Sequence, residues 1–174
     1  MNNIVFDLET LGNTSEAPII QIGAVKFDKD GKVFDSFERN IDIESLGDYN
    51  FKVDYPTVMW WFNQDDKAIK SVFGKDLKRV KLKQALYEFV KWVGKVNDYS
   101  YWSHATFDPP ILRNNFNKVG SSDSIPFRSH RDIRTLTHLA PDVKLVRADI
   151  PHNALEDAKA EALYISRCLK FINF

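Results

Sequence analysis

The apolar residues of this chain change their period once, and that change constrains the fold more than any other feature. The N-terminal part reads as strands: "NIVFDL", the longer "APIIQIGAVKFD", and "KVFDSFERNI", with the turn signal "DKDG" between the second and third. Three strands in succession predict an antiparallel meander. Beyond them the period becomes helical. Leu82, Ala85, Leu86, Phe89, Val90 and Val93 recur at i, i+3, i+4, i+7, i+8 and i+11, the spacing of one helix face.

The rest of the chain alternates. "YSYWSHA" reads as a short strand, and Asp108-Pro109-Pro110 reads as a helix opening with Asp108 as N-cap. Asp132 with Thr135 predicts a short helix in "RDIRTLTHL". The last helix is expected from about Ala154 to the C-terminus, with Asn153 as N-cap and Glu156 three residues later. No repeat, low-complexity tract or linker interrupts this order. Strands first and helices interleaved afterwards predict a mixed α/β domain around one central sheet.

At 174 residues, the whole of 1–174 is expected to be a single domain, able to bury roughly 70% of its unfolded surface without disulfides. Lys+Arg and Asp+Glu each number 24, so the formal net charge is zero. That balance argues against a protein that coats nucleic acid by bulk charge, yet leaves room for a small cleft with a local cation. Cys168 is the single cysteine, which excludes a disulfide framework and a Cys-based zinc site. It falls on the inner face of the last helix and reads as inert. The N-terminus lacks a basic region followed by an apolar core, and no apolar run approaches membrane-spanning length. A cytoplasmic location is therefore expected, with no membrane partner.

Asp7 and Glu9 end the first apolar run, and a strand places both on one face, opposite Phe6 and Leu8. Two neighbouring anions at the end of a buried strand call for a compensating cation, most simply a divalent metal. The same Asp-x-Glu spacing at Asp42-Ile43-Glu44 has polar flanks and reads as a solvated turn. His152 and Asp157 flank the start of the last helix. The helix dipole alone would favour Asp157 there. However, the small neighbours Ala154 and Ala158 let that helix lie close to the sheet and bring the carboxylate inward.

Asp-x-Glu-Thr on the first strand, Phe-Asp in mid-chain and His-x-x-x-x-Asp before a C-terminal helix occur here in that order. Each has an ordinary structural explanation, but the order and spacing together resemble the DEDDh (DnaQ-like) superfamily of 3'–5' exonucleases. That superfamily is built on a ribonuclease H-like fold, a mixed sheet in which parallel strands follow three antiparallel ones, flanked by helices. The resemblance covers nearly the whole chain. "LETLGNTSEAPIIQIGAV" is similar to the first motif region and "RDIRTL" to the segment before the third. The Trp-Trp-x-x-Gln of "TVMWWFNQDDKA" is most similar to the branch with RNase AS-like exoribonucleases and phage exonucleases.

The resemblance implies metal ligands at Asp7, Glu9, Asp108 and Asp157 and a general base at His152. It further implies substrate contacts at Thr10, Leu11, His104, Phe107 and Trp61. Two hard cations, Mg²⁺ or Mn²⁺, would activate a water and stabilise the leaving oxygen of a phosphodiester. A histidine can accept the water's proton near neutral pH. The expected substrates are single-stranded RNA or DNA 3' ends, in a bacterial or phage-infected cell, with RNA favoured by the branch. Relatives are often homodimers, which makes a second copy of the chain a candidate partner. Gln21 stands where relatives often carry Glu, and His104-Ala105 replaces a common Asn-Ala.

Two further features carry alternatives. Trp60 and Trp61 suit base stacking, but adjacent residues of one helix point in different directions, so at least one belongs to the core. The basic run Lys75, Lys78, Arg79, Lys81 and Lys83 reads as a solvated helix face before a phosphate guide. Two rival functions stand beside the exoribonuclease. One is an exodeoxyribonuclease with the same site. The other is a non-catalytic nucleic-acid-binding or subunit protein on the same fold, whose expected mark, a lost carboxylate or histidine, is not found.

Overall fold

The structure, a computed structural model, describes residues 2–94, 99–123 and 125–173. Its first part is the predicted meander: β1 (Asn2–Thr10), β2 (Ile19–Phe27) and β3 (Val33–Ile41) pair antiparallel. The turn between β2 and β3 closes on Asp28, whose carboxylate accepts the N–H groups of Asp30 and Lys32 at 2.9 and 3.0 Å. Gly31 takes a φ of 82° there, a backbone state that costs glycine nothing.

Two short helices come next, and the second of them is the amphipathic one. α1 (Tyr55–Phe62) is apolar almost all round, and α2 (Asp66–Phe73) spans barely two turns. Their starts are nonetheless written in the chain. Asp54 accepts the Thr57 N–H and Asp65 accepts the Ala68 N–H. There follow β4 (Arg79–Val80), α3 (Leu82–Val93), β5 (Tyr99–Ser103) and α4 (Asp108–Lys118). The chain closes with β6 (His130–Asp132), α5 (Ile133–Leu139) and α6 (Ala154–Phe171). The six strands form one sheet in the order β4-β3-β2-β1-β5-β6, with β5 parallel to β1 and β6 parallel to β5. The mixed sheet expected from the family resemblance is therefore present.

Side-chain alternation on β1 divides the core. Ile4, Phe6 and Leu8 face the layer holding Leu82, Ala85, Leu86 and Phe89 of α3 and Ile111, Leu112 and Phe116 of α4. Val5 faces the opposite layer, with Ile133 and Leu136 of α5 and Ala158, Ala162, Ile165 and Cys168 of α6. Burying each large apolar side chain is worth about 1.5–3 kcal/mol, so both layers hold β1 firmly. Asp7 and Glu9 continue the face of Val5. The apolar face thus gives way to carboxylates where β1 passes beneath the first turns of α6. Cys168 is fully buried on the inner face of α6, as its position in the sequence led us to expect.

Three expectations are corrected. Asp108 is not the cap of α4. Phe107 holds the cap position, and the Asp108 carboxylate, in the first turn, accepts the backbone N–H of His104 at 2.9 Å. Pro110, where a capping carboxylate would seek its N–H, has none to offer, and the carboxylate is held by the preceding loop instead. The basic run is not one helix face either. It crosses a loop, β4 and the start of α3, and Arg79 is structural, donating to the carbonyls of Ile41, Val72 and Gly74. The last helix ends at Phe171 rather than at the terminus, and Phe174 lies outside the described residues. Among the described residues, no helix is long and apolar enough to cross a membrane.

Candidate active site

Three separated parts of the chain converge where β1 ends. Asp7 and Glu9 come from β1, Asp108 from the first turn of α4, and Asp157 from the first turn of α6. The start of α6 is fixed by two amides. Asn153 accepts the Glu156 N–H at 3.0 Å, and the buried Gln21 on β2 accepts the Ala154 N–H at 2.8 Å. Gln21 also donates to Asn40 Oδ1 at 2.8 Å and to the Ser71 carbonyl at 3.1 Å. Its amide is satisfied on both sides, so it serves as an uncharged clamp where relatives often carry Glu.

His152 precedes this helix with a φ of 61°. Such left-handed backbone is costly for a residue with a β carbon and persists only where its surroundings require it. Here the turn sets the imidazole edge-on to two indoles: its centroid lies 4.7 Å from Trp60 and 6.3 Å from Trp61. Trp61 is buried and donates its indole N–H to the Thr10 carbonyl at 3.0 Å, which ties α1 to the end of β1. Trp60 is the exposed member of the pair. The expectation that one of the two belongs to the core holds, and the buried one is Trp61, for which the resemblance implies a substrate contact.

Asp7, Glu9, Thr10, His104, Phe107, Trp61, His152 and Asp157 all line one open cleft of about 390 Å³. Asp108 lies beneath it, 1% exposed, and its charge reaches both Asp7 and Glu9. Leu11 does not line this cleft. It faces a neighbouring apolar pocket with Val58, Trp61 and Phe62, because the register shift at Glu9/Thr10 turns the chain as it leaves β1. Asp42 and Glu44 behave as the solvated turn expected of them, with Asp42 capping a 3-10 turn at Ile43–Tyr49.

The cleft also holds a carboxylate that sequence reasoning missed. Glu161 lies four residues after Asp157, the helical spacing that puts both on one face of α6. Its Oε1 stands 3.2 Å from His104 Nε2, while its Oε2 is buried without a hydrogen-bond partner among the described residues. The i+4 spacing was the available signal. The partner was not legible, because His104 comes from a different strand end.

Electrostatics give this arrangement its meaning. Burial, then the charge of Glu9, holds the Asp7 carboxyl well above its ordinary value. Burial, then Asp157, pushes Glu9 up to about 8. Burial, then Glu161, pushes Asp108 to about 7 and Asp157 to about 6. The hydrogen bond that His104 donates to Glu161 raises the histidine against an opposing effect of burial. Burial lowers His152, which favours the neutral imidazole. Asp108 Oδ1, like Glu161 Oε2, is buried without a partner among the described residues. One ligand atom each from Glu9, His152 and Asp157 lies within 4.8 Å of the others, a group able to hold a metal ion. Crowded, desolvated and unpartnered oxygens of this kind are satisfied by a hard cation.

Comparison with known proteins gives the family and the fold. The family model described as the 3'-5' exoribonuclease Rv2179c-like domain matches residues 2–169. DNA polymerase III PolC-type of Clostridium perfringens (strain 13 / Type A) is 29% identical over 171 residues, covering 91% of this chain and 10% of that protein. Among solved structures, E. coli Exonuclease I in complex with a dT13 oligonucleotide matches with a TM-score of 0.71 at 12% identity. The match covers 99% of this chain and 42% of that one. The zinc-ion-bound form of an E. coli Exonuclease I complex with single-stranded DNA matches with a TM-score of 0.65 at 12% identity, over 99% of this chain and 40% of that one. The chain thus spans a tenth of the polymerase and about two fifths of the nuclease, and the likeness to the nuclease is one of fold, the ribonuclease H-like sheet.

Proposed function

The chain belongs to the 3'-5' exoribonuclease Rv2179c-like domain family, and from that premise we propose that it is a metal-dependent 3'–5' exonuclease. It removes nucleoside 5'-monophosphates one at a time from single-stranded 3' ends, with RNA preferred over DNA. One observation carries the reading: carboxylates from three distant segments meet at one cleft with a histidine beside them. The oxygen-rich donor set and the unpartnered Asp108 Oδ1 fit Mg²⁺ or Mn²⁺, two ions per site, with Asp7, Glu9, Asp108 and Asp157 as ligands. Bound there, such ions lower the pKa of water and neutralise charge on a phosphodiester and its leaving oxygen.

The chain's own residues do the rest. His152, held neutral by burial, takes the proton of the water whose oxygen attacks phosphorus. The 3' oxygen of the penultimate nucleotide leaves as the new strand end. Trp60 and Trp61 keep the imidazole edge-on at the cleft mouth. Thr10 and Phe107 line the seat of the terminal nucleotide, and the exposed ring of Trp60, rather than Trp61, is the surface on which a base can stack.

A second reading, an exodeoxyribonuclease with the same site, is favoured by the 29% identity to a DNA polymerase. End-labelled single-stranded RNA and DNA of identical sequence, degraded side by side with Mg²⁺ or Mn²⁺, separate the two. Asp7→Ala should abolish the reaction and Asp42→Ala should spare it. Equal inactivity of the two variants would mean that the wrong carboxylate pair has been chosen.

A further inference from the structure

Arg134 is the lone Lys or Arg among the described residues that line the cleft. Its surroundings are acidic, with Asp7, Glu9, Asp157 and Glu161 in the same walls. Yet none of the ion pairs among the described residues includes it. Its guanidinium is tethered instead to a neutral group, donating to Thr106 Oγ1 at 3.3 Å. The backbone beneath is fixed from both sides. Asp132 accepts the Thr135 N–H at 3.0 Å, which starts α5, and the Ala105 N–H at 3.1 Å, which ties α5 to the loop carrying His104 and Thr106.

A guanidinium carries five N–H donors in a planar fork. One bond to a hydroxyl leaves most of them for a ligand. A cation placed at an acidic cleft and not paired with its carboxylates is set for an anion that arrives from outside. Resting on the exonuclease reading above, we propose that Arg134 is a substrate-binding residue that holds the backbone phosphate next to the scissile one. The scissile phosphate belongs with the carboxylates at the end of β1. Arg134 comes from the β6 side of the sheet, beyond the His104 loop, and the proposal has the substrate continue to that side, away from its 3' end. The fork geometry suits a phosphodiester's two non-bridging oxygens.

The test is a double comparison. Wild type and Arg134→Gln are each given a single-stranded RNA dodecamer with ordinary linkages, and the same strand with a neutral methylphosphonate one linkage 5' of the scissile phosphate. For wild type the neutral linkage should raise KM about tenfold and leave kcat nearly unchanged, the size of one lost charge-assisted contact. Arg134→Gln should show the raised KM on the ordinary strand and no further loss on the neutral one. Arg134→Lys, which keeps the charge but not the fork, should fall between the two. A variant as sensitive to the neutral linkage as wild type, or a loss confined to kcat, overturns the assignment. A wild type that degrades neither strand overturns the exonuclease reading itself, so the two failures are told apart before any variant is compared.

Discussion

Gly23 of β2 lies so close beneath the start of α6 that a β carbon there would stand 2.1 Å from the carbonyl carbon of Ala154. Gly23 is also the register partner of Asp7. The approach that glycine permits therefore sets how far Asp157 and His152 stand from the β1 carboxylates. In Gly23→Ala the clash is with backbone, which cannot turn aside, so α6 must lift. We expect a stability loss at or above the roughly 1–3 kcal/mol typical of overpacking. A fall in kcat of at least about tenfold should accompany it, because misplacement by an ångström is costly in catalysis. Denaturant unfolding and steady-state kinetics on one preparation check both, and a fully active variant would show that α6 need not touch β2 for the site to form.

The raised carboxylates predict how stability depends on pH without metal. Each has a folded-state pKa above its unfolded value: about 6 for Asp157, 7 for Asp108 and 8 for Glu9. Their contribution is complete below the unfolded values near ~4 and is lost as pH rises through the folded ones. The Tm in chelator should therefore fall between pH 5 and pH 8.5. Added Mn²⁺ should raise Tm more at pH 8 than at pH 5, and Asp108→Asn should stabilise the chelated protein at pH 8 but hardly at pH 5. A Tm gain from Mn²⁺ independent of pH would count against these carboxylates as the ligands.

His152→Ala separates a base from a ligand. Loss of a general base should lower kcat by ~10²–10⁴. Manganese affinity, followed by calorimetry, should change little. Because burial lowers His152, the rising limb of kcat against pH should sit below the ordinary histidine value of roughly 6.5, and the variant should lose that limb. Since Glu9, His152 and Asp157 are close enough to share an ion, weakened Mn²⁺ binding with an unaltered pH profile would make His152 a ligand instead.

Gln21→Glu tests the uncharged clamp. The new carboxylate could still accept the Ala154 N–H, but it would face Asn40 Oδ1 and the Ser71 carbonyl with no proton to donate. In a fully buried position the lost donor should cost about 1–3 kcal/mol, and more if the group stays charged. Chemical denaturation at pH 5 and pH 8 reads this, and the penalty should grow with pH. A variant as stable as wild type at both would mean that Asn40 turns its amide to accommodate the acid.

Much of this protein was legible because its rules are local. Alternation along β1 put Asp7 and Glu9 on one face, the helical period marked α3, and Asn153 and Asp132 signalled the starts of α6 and α5 through bonds to residues three positions away. The helix carrying Trp60 and Trp61 had no legible bounds because its apolar residues surround it, and periodicity carries no information when every face is apolar. Other features had no local cause at all. Gln21 meets Ala154 across 133 positions of sequence, Glu161 finds His104 from another element, and only packing decides that Trp60 rather than Trp61 stays exposed. A side chain's own chain dictates which way it points. What it meets there depends on how closely a second element can approach, and for this cleft that distance is set by the missing side chain of Gly23.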